Sequence, residues 1–174
     1  MKHKLLLTAI ATGMAAATAM AVFLVVLYGF QLNPFGQYKL MFMPLYALVL
    51  MFGLWHFRKQ HMGGWLHGWQ AIFLGVLTAI VAAATYAAVV YGLLAYILPN
   101  MLMLHRAELN NWMVRHRVVM VEQMGSQAYA NNLQAIERIT AADIALDEWI
   151  KTAAIGLVIG MAVGLFFKKT PPSK

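Results

Sequence analysis

The hydrophobic positions of this chain fall into four long runs separated by polar breaks, and the pattern predicts helices that cross a membrane. Leu5 to Phe30 continues for 26 residues without Asp, Glu, Lys or Arg. The break after it, Gln31 to Tyr38, carries Asn33-Pro34 and Gly36, which favour a turn. Lys39 to Phe57 is the second run, with Pro44 either near its start or kinking it. Arg58, Lys59, His61 and Gly63-Gly64 mark the next break. Trp65 to Leu98 is the longest uncharged stretch, and as a helix rising about 1.5 Å per residue it would reach roughly 50 Å against a hydrocarbon core of about 30 Å. Such a helix is either strongly tilted or lets its Tyr91 to Leu98 end emerge. Trp149 to Phe167 is the fourth run, with a helix that starts there or inside Asp143 to Glu148, whose negative charges suit a helix N-terminus, and it is stopped by Lys168 and Lys169.

The expected fold class is therefore an all-α integral membrane protein with four transmembrane helices, at about 5–30, 39–57, 66–98 and 149–167. Residues 99–148 differ in character. From Met101 to Glu148, Arg106, Arg115, Arg117 and Arg138 oppose Glu108, Glu122, Glu137, Asp143, Asp147 and Glu148. Leu102, Leu109, Met113 and Met120, with Trp112 beside them, recur roughly at helical spacing. Leu133, Ile136 and Thr140 continue after a break near Gly125-Ser126, so two helices forming a hairpin on the membrane surface are expected. Residues 168–174 are the expected cytoplasmic tail, of which Thr170 to Lys174, with Pro171-Pro172, is expected to be disordered.

Three of the runs carry rows of small residues four apart: Ala9, Gly13, Ala17 and Ala21; Ala71, Gly75, Ala79, Ala83 and Ala87; and Gly156, Gly160 and Gly164. Small residues let helices approach where no hydrophobic effect drives them together, so these are the expected helix-packing faces, and the glycines form two overlapping GxxxG pairs. The row from Ala71 has the first or the last row as its expected partner. The second run is bulky on all sides and is expected to be the most lipid-exposed.

Composition agrees with a membrane protein: 62% hydrophobic and 11% charged residues, against the quarter or so that a water-facing domain carries. Thirteen Lys and Arg against six Asp and Glu give +7, but the positives flank apolar runs, where they orient a membrane protein; no nucleic-acid partner is expected. Lys2 and Lys4, Arg58 and Lys59, and Lys168, Lys169 and Lys174 share one side of a four-span layout, which places both termini in the cytoplasm and residues 99–148 outside it. Trp55, Trp65, Trp69 and Trp149, with Arg58, Lys59, Lys168 and Lys169, are the expected membrane-interface residues. Lys2, Lys4 and Ala17-Thr18-Ala19 imitate a signal peptide, yet the apolar run continues past any such site, so a retained first span is expected.

Candidate chemistry is sparse. The deeper parts of the runs hold no ionisable group, only polar residues such as Tyr46, Thr78, Thr85, Tyr86 and Tyr91, for which packing is the simpler role. His56, His61 and His67 have no spacing that makes a helix-borne metal pair, and cysteine is absent. Met101, Met103, His105, Met113, His116, Met120 and Met124 contain soft ligands of a copper(I) type, but methionine is abundant throughout and also fills irregular apolar surfaces. His105, Glu108 and His116 would have to converge with another acidic group before hydrolysis could be argued. No catalytic residue, metal or cofactor is expected.

The layout resembles a family of small bacterial inner-membrane proteins, domain of unknown function 4199. The resemblance rests on Asn33-Pro34-Phe35, Phe57-Arg58-Lys59, Gly63-Gly64 followed by Gln70-Ala71 and Gly75, and the polar segment before the glycine-bearing last run that ends at Lys168-Lys169. It implies a multi-span membrane fold and supplies no catalytic residues. The expected role is a structural or assembly component acting through helix association, with the lipid bilayer and a second copy or another membrane protein as partners. A small transporter or channel-like subunit is the alternative, and a membrane-embedded enzyme on lipid or envelope substrates comes third.

Overall fold

The computed structural model describes residues 2–169. The expected disorder of the tail concerns residues 170–174, which lie outside them. The elements in chain order are α1 (Lys2–Gly29), a 3-10 turn (Gln37–Met41), α2 (Phe42–His61), α3 (Gly68–Gly92), a π turn (Leu93–Ile97), α4 (Pro99–Arg115), α5 (Arg117–Met124), α6 (Ser126–Arg138) and α7 (Ala141–Phe167). Four helical stretches are long and apolar enough to cross a membrane: 3–29, 37–61, 68–97 and 141–167. The chain is all-α, with no strand among the described residues.

Local chemistry sets the helix ends. α1 stops where Gln31 takes a left-handed conformation (φ 59°), and the Gln31 and Leu32 amides return to the carbonyls of Tyr28 and Leu27. Pro44 sits in the first turn of α2, where its missing N–H leaves no bond unmade. The third helix begins later than the apolar pattern suggests, because Leu66 exchanges both backbone hydrogen bonds with Lys169 (2.8 Å each), which holds the approach to the helix extended. Gly63 and Gly64, both at positive φ, make the turn that allows this. The helix ends in the π turn, where the Leu98 amide reaches Leu93 O at 2.7 Å, and Pro99 opens α4 at its first position.

The fourth helix starts at Ala141, eight residues before Trp149 and two before the acidic stretch that opens at Asp143. Thr140 and Asp143 form a capping box: Thr140 N donates to Asp143 Oδ2 (2.8 Å) and Asp143 N to Thr140 Oγ1 (3.2 Å). Asp147 and Lys151 pair one turn apart at 2.6 Å in the open. Residues 99–140 form three helices rather than two. The unforeseen break is at His116, whose Nδ1 donates to Trp112 O (2.8 Å), a carbonyl that its backbone N–H also uses.

α3 is the central element, packed against α7 on one side and α1 on another. Gly156, Gly160 and Gly164 lie against Ala79, Gly75 and Ala71, so the two helices are antiparallel and in register. A Cβ on Gly75 would overlap Gly160 O, and one on Gly160 would sit 2.7 Å from Gly75 O. α1 approaches another face, where a Cβ on Gly13 would meet Val81 at 2.8 Å. Ala9 and Ala17 are fully buried and Ala21 is buried; Ala83 is buried and Ala87 half-buried. The second span is not the most exposed: 33% of its most apolar stretch is buried within the chain, against 22% for the fourth. Its Phe42, Tyr46, Leu50, Leu54 and Phe57 keep one helical face inside despite bulk all round.

Candidate functional site

The most unusual chemistry of the bundle lies at the end where α4 leaves it. Lys39, in the 3-10 turn, and Glu148, in the second turn of α7, are both buried, at 8% and 2% exposure. Lys39 Nζ donates to Glu148 Oε1 at 2.6 Å. Glu148 lies 19 residues from Phe167, about 28 Å along the helix, a length close to that of a hydrocarbon core about 30 Å thick. Exposed Tyr38, Tyr96 and Trp149 belong to the same end, as interfacial aromatics do.

Glu148 heads a row that continues through Thr152 to Gly156, Gly160 and Gly164, one helical face at four-residue steps. The register with α3 brings Ala87 and Ala83 opposite Glu148 and Thr152, and these small side chains leave room for polar ones. Tyr46 reaches the same row from α2: a Cβ on Gly156 would lie 2.5 Å from its hydroxyl oxygen. Glycine at 156 is therefore required by the Tyr46 phenol as well as by α3. Three buried polar atoms of this string, Glu148 Oε2, Thr152 Oγ1 and Tyr46 OH, have no hydrogen-bond partner among the described residues. Tyr86, buried on α3, belongs to the same buried cluster as Tyr46.

A buried acid paired at this distance holds two segments together strongly if broken from one side only, since the remaining charge would stay in a dry site. The pair therefore clamps the loop before α2 to the top of α7. Below it the polar string ends, because Gly160 and Gly75 meet backbone to backbone. Thr78, fully buried nearby, returns its hydroxyl to Leu74 O at 2.7 Å.

Sequence reasoning set Lys39 at the first residue of the second span and Glu148 just before the fourth, and missed the pair. A signal existed: Lys39 is the only Lys or Arg between Lys4 and Arg58, and it stands at the end opposite the other basic flanks. Glu148 continues the glycine row at the correct spacing.

The remaining candidates are distributed as follows. At the opposite end, Lys59 Nζ stands 4.8 Å over the Trp55 ring, Lys169 Nζ 5.2 Å over Trp65 and Arg58 5.5 Å over Phe167, so most of the interface residues form one cation–aromatic collar. Trp69 is exposed beside it, Lys168 follows the last helical residue, and Trp149 lies at the other end. His56 and His61 meet edge to face at 6.5 Å, while His67 precedes α3 with its amide on Gln70 Oε1 (3.4 Å). His105 accepts from Asn33 Nδ2 through Nδ1 at 3.1 Å, and burial holds its imidazole below the ordinary 6.5. His116 lies three turns further along the arm, its ring tilted against Trp112 at 4.7 Å, so the two histidines do not converge. Among the described residues no three His, Asp or Glu side chains gather to hold a metal ion.

Four apolar helices around a close-packed centre, with a polar helical arm and one buried ion pair, define a multi-pass membrane protein. The chain belongs to the family described as protein of unknown function (DUF4199), whose model matches residues 11–169. No curated protein and no solved structure matches it.

Proposed function

We propose that the protein is a structural or assembly component of the bacterial inner membrane, with both termini cytoplasmic and the arm, α4 to α6, outside. The observation that carries this reading is the use of the small faces: Gly75 and Gly160 meet within one chain, so the bundle has no free small-residue seam there and association falls to the arm. α5 buries none of its residues, and Val114, Val118 and Val119 are exposed in a segment otherwise polar enough for water. The partner is a second copy or another membrane protein. A single cysteine at Val118 should crosslink to a species larger than the monomer in native membranes, whereas one at Val158, exposed on α7, should not. Crosslinking at Val158 with Val118 silent would sink the proposal.

The unpartnered string of Glu148, Thr152 and Tyr46 favours a second reading, a small transporter or channel-like subunit. That reading needs the string to continue past the Gly75–Gly160 contact. Water-soluble thiol reagents would then label a cysteine at Ala71, which is fully buried; protection of that position argues for the closed bundle.

A further inference from the structure

We infer that the cleft between α1 and α2 at the lysine-rich end is a binding site for an anionic phospholipid. The two helices meet closely where Gly53 faces Thr12, since a Cβ on Gly53 would overlap the threonine side chain. Around this contact runs a cleft of about 540 Å³. Its walls are apolar and shallow where Ala11 and Ala15 face Val49. Its mouth is different: Lys4, His56 and His61 gather there, one fixed cation and two imidazoles able to donate N–H to phosphate oxygens. The imidazoles are held in place, His56 stacked on Phe52 (6.1 Å, 26°) and His61 edge-on to Phe57 at 5.5 Å.

From Lys4 to Ala15 the cleft follows α1 for 11 residues, about 16 Å, which is the depth of one leaflet of a core about 30 Å thick. The site thus has a polar end at headgroup level and an apolar trough as long as one leaflet. A second groove, where Val22, Val25 and Val26 face Val89, has no cation on its walls and would take acyl chains without headgroup preference. Charge at the mouth singles out the first cleft and selects an anionic headgroup. The inference does not depend on which side of the membrane this end faces, nor on the arm's role.

Reconstitution of the full chain in phosphatidylcholine vesicles with spin-labelled phosphatidylglycerol or phosphatidylcholine tests it through the motionally restricted lipid fraction. The wild-type chain should prefer the anionic probe, and Lys4→Gln should cut that preference about fivefold, the worth of roughly one lysine at a charged lipid surface. Lys168→Gln with Lys169→Gln, outside the cleft at the same end, should change it much less. Ala11→Phe, at an exposed position that fills the trough without altering charge, should also lower it. Equal preference for the two probes in the wild-type chain, or equal losses from the two lysine variants, would overturn the assignment.

Discussion

Glu148 has two carboxylate oxygens, of which one meets Lys39 and the other has no hydrogen-bond partner among the described residues. Removing either partner strands a buried charge, so Lys39→Ala or Glu148→Ala should cost about 3–5 kcal/mol of stability, while Lys39→Met combined with Glu148→Leu should recover most of it. Unfolding of the purified chain in mild detergent measures this. Tyr46→Phe removes a hydroxyl that has no partner, so it should be neutral within about 1 kcal/mol; a larger loss would reveal a bond to a water or ligand. His105 supplies a pH dependence. The charged groups acting on it are Glu108, Asp147, Lys151 and Lys39, but burial dominates and lowers its affinity for a proton. The unfolded imidazole therefore protonates first, and the contact with Asn33 is fully present above about 6.5 and weakens as pH falls below it. Hydrogen exchange around Asn33 to Phe35, corrected for intrinsic rate, should speed up between pH 7.5 and pH 5.5, ordinary values bracketing the unperturbed histidine near 6.5, and His105→Asn should remove the change.

At the scale of elements, the glycines separate contact from propensity. Gly75→Ala forces a methyl into the Gly160 carbonyl and should destabilise by about 1–3 kcal/mol. Gly92→Ala, on the same helix with nothing near its added methyl, should be neutral or stabilising by up to about 1 kcal/mol. A thermal unfolding comparison of the two variants distinguishes a packed seam from a general effect of glycine. The four spans were legible in the sequence because lipid tolerates long uncharged helices and little else. Their ends were less so. The Leu66–Lys169 bridge and the Thr140–Asp143 cap are set by local hydrogen bonds that an apolar count does not register. The break at His116 depends on one side chain competing for a carbonyl, and nothing in the periodicity of α4 announces it.

For the whole molecule, the bundle is closed by contacts between residues far apart in the chain. Lys39 and Glu148 are separated by 109 positions, and read singly each belongs to the polar edge of an apolar run. Only the antiparallel register of α3 and α7, with α2 leaning across it, brings them together and sets Tyr46 over Gly156. The small faces were legible in the sequence, but the partner of the Ala71 row stayed open between the first and the last helix; the structure pairs it with α7. The absence of native cysteine makes a direct test clean. With cysteines at Ala83 and Thr152, which the register sets opposite each other, mild oxidation in the membrane should give an intrachain disulfide at monomer size. A mixture of the two single-cysteine chains should give none. Disulfide formation between the single-cysteine chains, with the double variant unable to close on itself, would contradict the account.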